Sequence, residues 1–180
     1  MSAEAKLIPA SSQTVGPYFR IGLQHLMDRA PAEPQMNGVT IRGRVLDRDA
    51  APVSDAMLEI WSPACDGPSL ADALPHGFRR VGTDIDGEFT VALPRPEPLA
   101  IGGGLSQAPH FLVLVFARGL LRHLITRMYF DDEPANASDP VLLSVSEARR
   151  DTLIAHKEGE HVFRWNVVLQ GTDETVFFAW

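Results

Sequence analysis

The sequence predicts an all-β chain: a single β-sandwich domain with long loops, an extended N-terminal arm and one short helix. Three observations predict it. From Val39 onward, short apolar runs rich in Val, Ile, Phe and Thr recur, several of them alternating with period two. Gly-, Pro- and Asp-rich stretches separate these runs. Only one segment, beginning near Ser144, carries good helix signals. The chain has 180 residues, 45% of them hydrophobic, which is enough for one domain with a real core.

Residues 1–37 are proline-rich and read as an arm with one helical turn near Leu23–Arg29; residues 38–180 read as the domain. Within the arm, Gly16-Pro17 sets a bend, and Thr14 and Tyr18 place hydroxyls on either side. Two readings stand: a tyrosine packed on the domain, or an arm that lines a pocket, including one in a neighbouring subunit. VTIRGRVLD alternates as a strand, and AMLEIWS follows with Ala56, Leu58 and Ile60 on one face. PACDGPSLADALPHG is a long loop. FRRVGTD and EFTVAL flank a hairpin turn at Asp84–Gly87. Its Asp-x-Asp-Gly pattern lacks the further oxygen ligands and closing Glu of a calcium loop. PRPEPLAIGGGLSQAP leads into a strand and not a helix, so its glycines make a poor phosphate cradle.

The run Phe111–Ala117 reads as a strand buried on both faces, turned at Arg118-Gly119 into the alternating LLRHLITRMYF. With those two residues as the loop, Leu114 faces His123 and His110 faces Arg127. A buried arginine needs an acceptor. Asp131, Asp132 and Glu133 supply one reading of Arg127, an internal salt bridge. The other is a carboxylate or phenolate from outside. After the hairpin, Ser144 and Glu147 fit a capping box for a helix to about Ala155. HVFRWNVVLQG and the tail ETVFFAW close the chain as strands.

Bulk properties exclude several function classes. Net charge is −7 without a basic run, against nucleic acid or an anionic membrane surface. No apolar run is long enough for a membrane helix, and the N-terminus lacks signal-peptide features. The single cysteine, Cys65, forms no internal disulfide and fits a cytoplasmic protein.

SQTVGPYF, GRVLD, LEIW, TDIDGEFT, APHFLVLVFARG, HLITRMYFDDE, RDTLIA and GTDETVFFAW run in order over nearly the whole chain. On these motifs the sequence resembles the intradiol ring-cleavage dioxygenases, and within them the α-type chains. That resemblance implies a non-haem ferric ion held by two tyrosines and two histidines, the histidines in a His-x-His strand. Here the matching strand keeps His110 but has Leu112 at the second position, and both loops where a tyrosine is due lack one. The chain's tyrosines are Tyr18 and Tyr129. A leucine offers a ferric ion nothing. His76 is isolated, and the other histidines show no metal-ligand spacing.

The resemblance therefore implies a chain without catalytic or metal residues of its own, paired obligately with a homologous β chain that holds Fe(III). It further implies that Thr14, Gly16, Pro17 and Tyr18 line the substrate pocket of the pair and that Arg127 meets the substrate carboxylate. The implied reaction inserts O2 into 3,4-dihydroxybenzoate between its hydroxyl-bearing carbons, giving 3-carboxy-cis,cis-muconate. Two readings compete with it: an enzyme acting alone, and a β-sandwich binding or structural module, which the fold alone permits.

Overall fold

The computed structural model describes residues 10–27, 38–62 and 77–179. The loop with Cys65 and His76, and the arm on either side of residues 10–27, lie outside the described residues. The arm's helical segment, α1, runs Pro17–Met27, earlier than the turn expected near Leu23–Arg29. Eleven strands follow among the described residues. They are β1 (Gly38–Leu46), β2 (Met57–Trp61), β3 (Phe78–Gly82), β4 (Glu88–Pro94), β5 (Leu99–Gly102), β6 (Leu105–Gln107), β7 (Phe111–Phe116), β8 (Leu124–Phe130), β9 (Ile154–Lys157), β10 (Val162–Arg164) and β11 (Val167–Val168).

Two layers make the sandwich. One is β4-β1-β10-β9, with β11 continuing beside β1; the other is β8-β7-β2-β3. A short parallel ladder, Tyr129↔Ile154 and Phe130↔Ala155, joins them along one edge. Alternation places Val39, Ile41 and Val45 of β1 against Leu58, Ile60, Val113, Val115, Met128 and Phe130 of the opposite layer in one core. Each such fully buried side chain stabilises the fold by about 1.5–3 kcal/mol. β1 runs so close to the link between β10 and β11 that Gly43 has no room for a side chain: a Cβ there would stand 1.7 Å from the Trp165 carbonyl oxygen.

The Asp84–Gly87 turn forms as the sequence predicts. Gly87 takes φ +70°, and the Asp84 carboxylate accepts from the Asp86 and Glu88 amides at 3.0 and 2.8 Å. The carboxylate thus caps its own turn.

Four expectations need correction. The β7–β8 register pairs Leu112 with Arg127 and Leu114 with Ile125, two residues away from the two-residue-loop ladder. Residues 117–123 leave the ladder, because Arg118-Gly119 turns the chain but Leu120–His123 do not pair. The displacement is even, so every side chain keeps its face. β7 is fully buried on one face and only partly on the other.

The helix signalled at Ser144 is instead three short pieces: α2 (Pro140–Ser144), α3 (Glu147–Arg150) and a 3-10 turn over Asp151–Leu153. Val145, in extended conformation, separates the first two. Asp139 is the true cap; its carboxylate accepts from the Val141 and Leu142 amides, with Pro140 at the first helical position. The tail is not a strand. It lies along β8 through Phe178 N–H to the Ile125 carbonyl at 2.8 Å and the Thr126 hydroxyl to the Val176 carbonyl at 2.7 Å.

Candidate functional site

Thr14 Oγ1 accepts a 2.8 Å hydrogen bond from the backbone N–H of Gly119. That bond ties the arm to the β7–β8 turn, where Gly119 has φ +88° and Leu120 N–H returns to the Ala117 carbonyl at 3.3 Å. Gly16 then opens α1 by accepting from Phe19 N–H at 3.0 Å. Phe19 packs on Phe116 with ring centroids 5.3 Å apart, and Arg20 donates to the Ser54 carbonyl at 2.8 Å. Between helix and turn lies a cleft of about 280 Å³, lined among others by Gly16, Phe19, Asp55, Met57, Phe116 and Arg118. Tyr18 is not packed on the domain: it is 82% exposed and faces outward.

Sequence reasoning treated Arg118 as a turn residue and missed it here. Its side chain is 68% exposed and pairs with Asp55. Arg118 and Asp55 both line the cleft, so the guanidinium meets its counter-charge there. The signal was available in the sequence: a turn that presents an arginine next to a glycine puts the charge at an exposed loop tip.

Arg127 sits elsewhere. It is opposite Leu112, and Leu112 is four residues, about 13 Å, from Phe116, with the turn further still. On one chain, therefore, Arg127 and the Thr14–Tyr18 arm cannot meet one small aromatic ligand. Neither does Arg127 pair with the acids that follow it. Asp132 binds Arg95 at 2.7 Å and Lys157 at 2.9 Å, Glu133 approaches Arg95, and Asp131 accepts from the Lys157 amide and lies near His156. Arg127 is 8% exposed and donates from Nη1 to Gln107 Oε1 at 3.0 Å and to the Tyr129 hydroxyl oxygen at 3.3 Å.

Buried neighbours complete this cluster. The Tyr129 hydroxyl donates to Asp139 Oδ1 at 3.1 Å, and Asp139 Oδ2 accepts from Ala108 N–H at 2.8 Å. Burial keeps Tyr129 protonated, its pKa well above the usual phenol range, while the Arg127 guanidinium opposes that shift more weakly. His110 stacks on Tyr129 at 5.3 Å, and its Nδ1 lies 2.7 Å from the Ala108 carbonyl. Burial lowers the His110 pKa, so the ring is held neutral.

These residues do not fit a ferric ion. His110 has Leu112 where the second histidine would stand, Tyr129 is hydrogen-bonded as a phenol, and a fixed guanidinium occupies the same neighbourhood. Among the described residues no group of three or more His, Cys, Asp or Glu side chains could hold a metal ion.

Comparison with known proteins decides the family. The model of the family described as Dioxygenase matches residues 16–171. The chain belongs to the intradiol ring-cleavage dioxygenases. Among its relatives in that family, the protocatechuate 3,4-dioxygenase alpha chain of Burkholderia cepacia is 41% identical, over 93% of this chain and 95% of the relative. The alpha chain of Pseudomonas putida is 37% identical over 96% and 98%. The beta chain of Burkholderia cepacia is 27% identical over 79% of this chain and 68% of its own length. Solved intradiol dioxygenases share the fold. The hydroxyquinol 1,2-dioxygenase of Pseudomonas putida DLL-E4 matches with a TM-score of 0.59 at 20% identity, over 77% of this chain and 57% of that one. The 3-chlorocatechol 1,2-dioxygenase of Rhodococcus opacus 1CP gives 0.59 at 20% identity, over 91% and 68%. No helix among the described residues is long and apolar enough to cross a membrane.

Proposed function

We propose that this intradiol dioxygenase chain is the α-type, non-iron-binding subunit of a protocatechuate 3,4-dioxygenase, working with a homologous β chain that holds Fe(III). The observation that carries the reading is the 41% identity to an alpha chain over nearly all of both sequences. The pair inserts both atoms of O2 into 3,4-dihydroxybenzoate between its hydroxyl-bearing carbons and releases 3-carboxy-cis,cis-muconate. The reading places the assembly in the cytoplasm, with residues 1–37 as arm and 38–180 as domain.

In this reading the arm residues Thr14, Gly16, Pro17 and Tyr18 face the substrate pocket of the pair. Tyr18 projects from this chain, as a residue serving a neighbour's site should. By the same resemblance Arg127 meets the substrate carboxylate of the pair, while Arg118 shares the arm's cleft. The Arg127 guanidinium fixes orientation, and the gain in rate is positional. One experiment tests the reading. The chain is purified alone and after co-expression with its β-type homologue, and iron content and visible absorption are measured. A colourless, iron-free chain alone and a coloured, active pair are expected. Stoichiometric iron and colour in the lone chain would refute it.

A further inference from the structure

We propose that Tyr129 and Gln107 are positioning residues: they hold the Arg127 guanidinium in one plane and keep it from pairing with the chain's own Asp139. The inference rests on the reading of Arg127 under Proposed function and names the two side chains through which that arginine is set.

The first support is the count of hydrogens. Both hydrogen bonds given by Arg127 leave from one nitrogen: Nη1 reaches Gln107 Oε1 at 3.0 Å and the Tyr129 oxygen at 3.3 Å. The hydrogens of that amino group lie in the guanidinium plane. Two acceptors on one amino group therefore fix the plane, where a single acceptor would let it turn. The acceptors come from different elements, Gln107 from the end of β6 and Tyr129 from β8, and both are buried. Nε, also buried, donates to nothing among the described residues, so the group is held from one side only.

The second support is the direction of the chain of bonds. A phenol has one hydrogen. Tyr129 gives it to Asp139 Oδ1 at 3.1 Å and accepts from Arg127 with its oxygen. The phenol therefore stands between a guanidinium and a carboxylate. Paired directly, those two would form a strong charge-assisted contact and consume the arginine. Burial keeps the phenol protonated, and His110 stacks on its ring at 5.3 Å. Asp139 is held in turn by the amides of Ala108, Val141 and Leu142. The spacing is thus fixed at both ends.

The third support is cost. A buried guanidinium matched only by neutral acceptors is expensive. A cluster built for stability alone would pair Arg127 with the carboxylate that the cluster already contains. This one interposes a hydroxyl and leaves Nε without a partner.

The test uses the assembly with the β-type homologue. Tyr129→Phe and Gln107→Met are made singly and each in an Arg127→Ala background, and KM and kcat are measured with 3,4-dihydroxybenzoate and with catechol. Each single variant should raise KM for 3,4-dihydroxybenzoate by about threefold to tenfold, the scale of one hydrogen bond. KM for catechol should not move, and kcat should stay within about twofold. In the Arg127→Ala background neither variant should raise KM further, because the residue through which it acts is gone. If Arg127→Ala raises KM and both single variants leave it unchanged, the positioning role falls and the Arg127 reading stands. If Arg127→Ala leaves KM unchanged, both fall. Equal rises for the two substrates, or a further rise on top of Arg127→Ala, mark a structural effect and overturn the proposal. Should Tyr129→Phe fail to assemble, Gln107→Met decides alone.

Discussion

The Thr14 hydroxyl oxygen and the Gly119 amide, 105 residues apart in sequence, meet at 2.8 Å and fasten the arm to the β7–β8 turn. Thr14→Val keeps the shape and removes the acceptor. A hydrogen bond of this kind contributes about 1 kcal/mol, so amide exchange in residues 14–27 should quicken several-fold while exchange in β7 and β8 stays unchanged. Thr14→Ser should behave as wild type. Equal exchange in Thr14→Val would mean that the arm is held by Phe19 and Arg20 alone.

Arg127 is expected to read the substrate's carboxylate. In the active assembly Arg127→Ala should raise KM for 3,4-dihydroxybenzoate by about tenfold or more, the scale of one charge-assisted pair. Catechol, which lacks the carboxylate, should show little change. An unaltered KM for 3,4-dihydroxybenzoate would take that role from Arg127.

Asp139 joins three backbone amides and the Tyr129 phenol in one buried carboxylate. Asp139→Ala strands all four donors and should cost about 3 kcal/mol or more. Asp139→Asn, which keeps one acceptor oxygen, should cost less. Urea midpoints of the two variants check the order; equal midpoints would show that α2 does not depend on its cap.

His110 gives the fold a pH dependence of known sign. Burial lowers its folded pKa below the ordinary 6.5 of the unfolded chain. The stabilising contribution of the neutral ring is therefore complete above about pH 6.5. It is lost as pH falls, because the unfolded chain takes up the proton first, until the folded pKa is passed. His110→Gln should remove that part of the slope. The stability difference between wild type and His110→Gln, followed by urea denaturation between pH 5 and 8 (about the histidine range), should shrink toward acid. A constant difference would disprove the assignment.

The sandwich was legible because alternation reports which face is buried. The predicted faces of β1, β2 and β8 agree with the cores that formed around Ile41, Leu58 and Met128. The β7–β8 register was not legible, since nothing in RGLLRH says how many residues leave the ladder. Only the even size of the displacement kept the faces. The helix was misplaced because Ser144 and Glu147 imitate a cap, whereas Asp139-Pro140 is the cap that the structure uses. Pairing residues by strand register brought Arg127 near His110 but could not locate the arm, whose docking rests on a contact between residues 14 and 119. The pairing of Arg118 with Asp55 was hidden for the same reason, since the two lie 63 residues apart.

β1 has a consequence for how this protein is made. On one side it pairs with β4, which ends at Pro94, near the middle of the chain. On the other it pairs in parallel with residues 162–168, Thr40 lying beside Val162. At ordinary ribosomal speeds the intervening stretch takes on the order of ten seconds to synthesise. Throughout that interval a nascent chain has a nine-residue strand with one bare edge, a template for pairing with a neighbouring chain on the same polysome. Arg42 and Arg44, on the outward face of β1, put positive charge beside that edge from the start. Like charges on a second copy of the same edge would repel them, which disfavours that pairing.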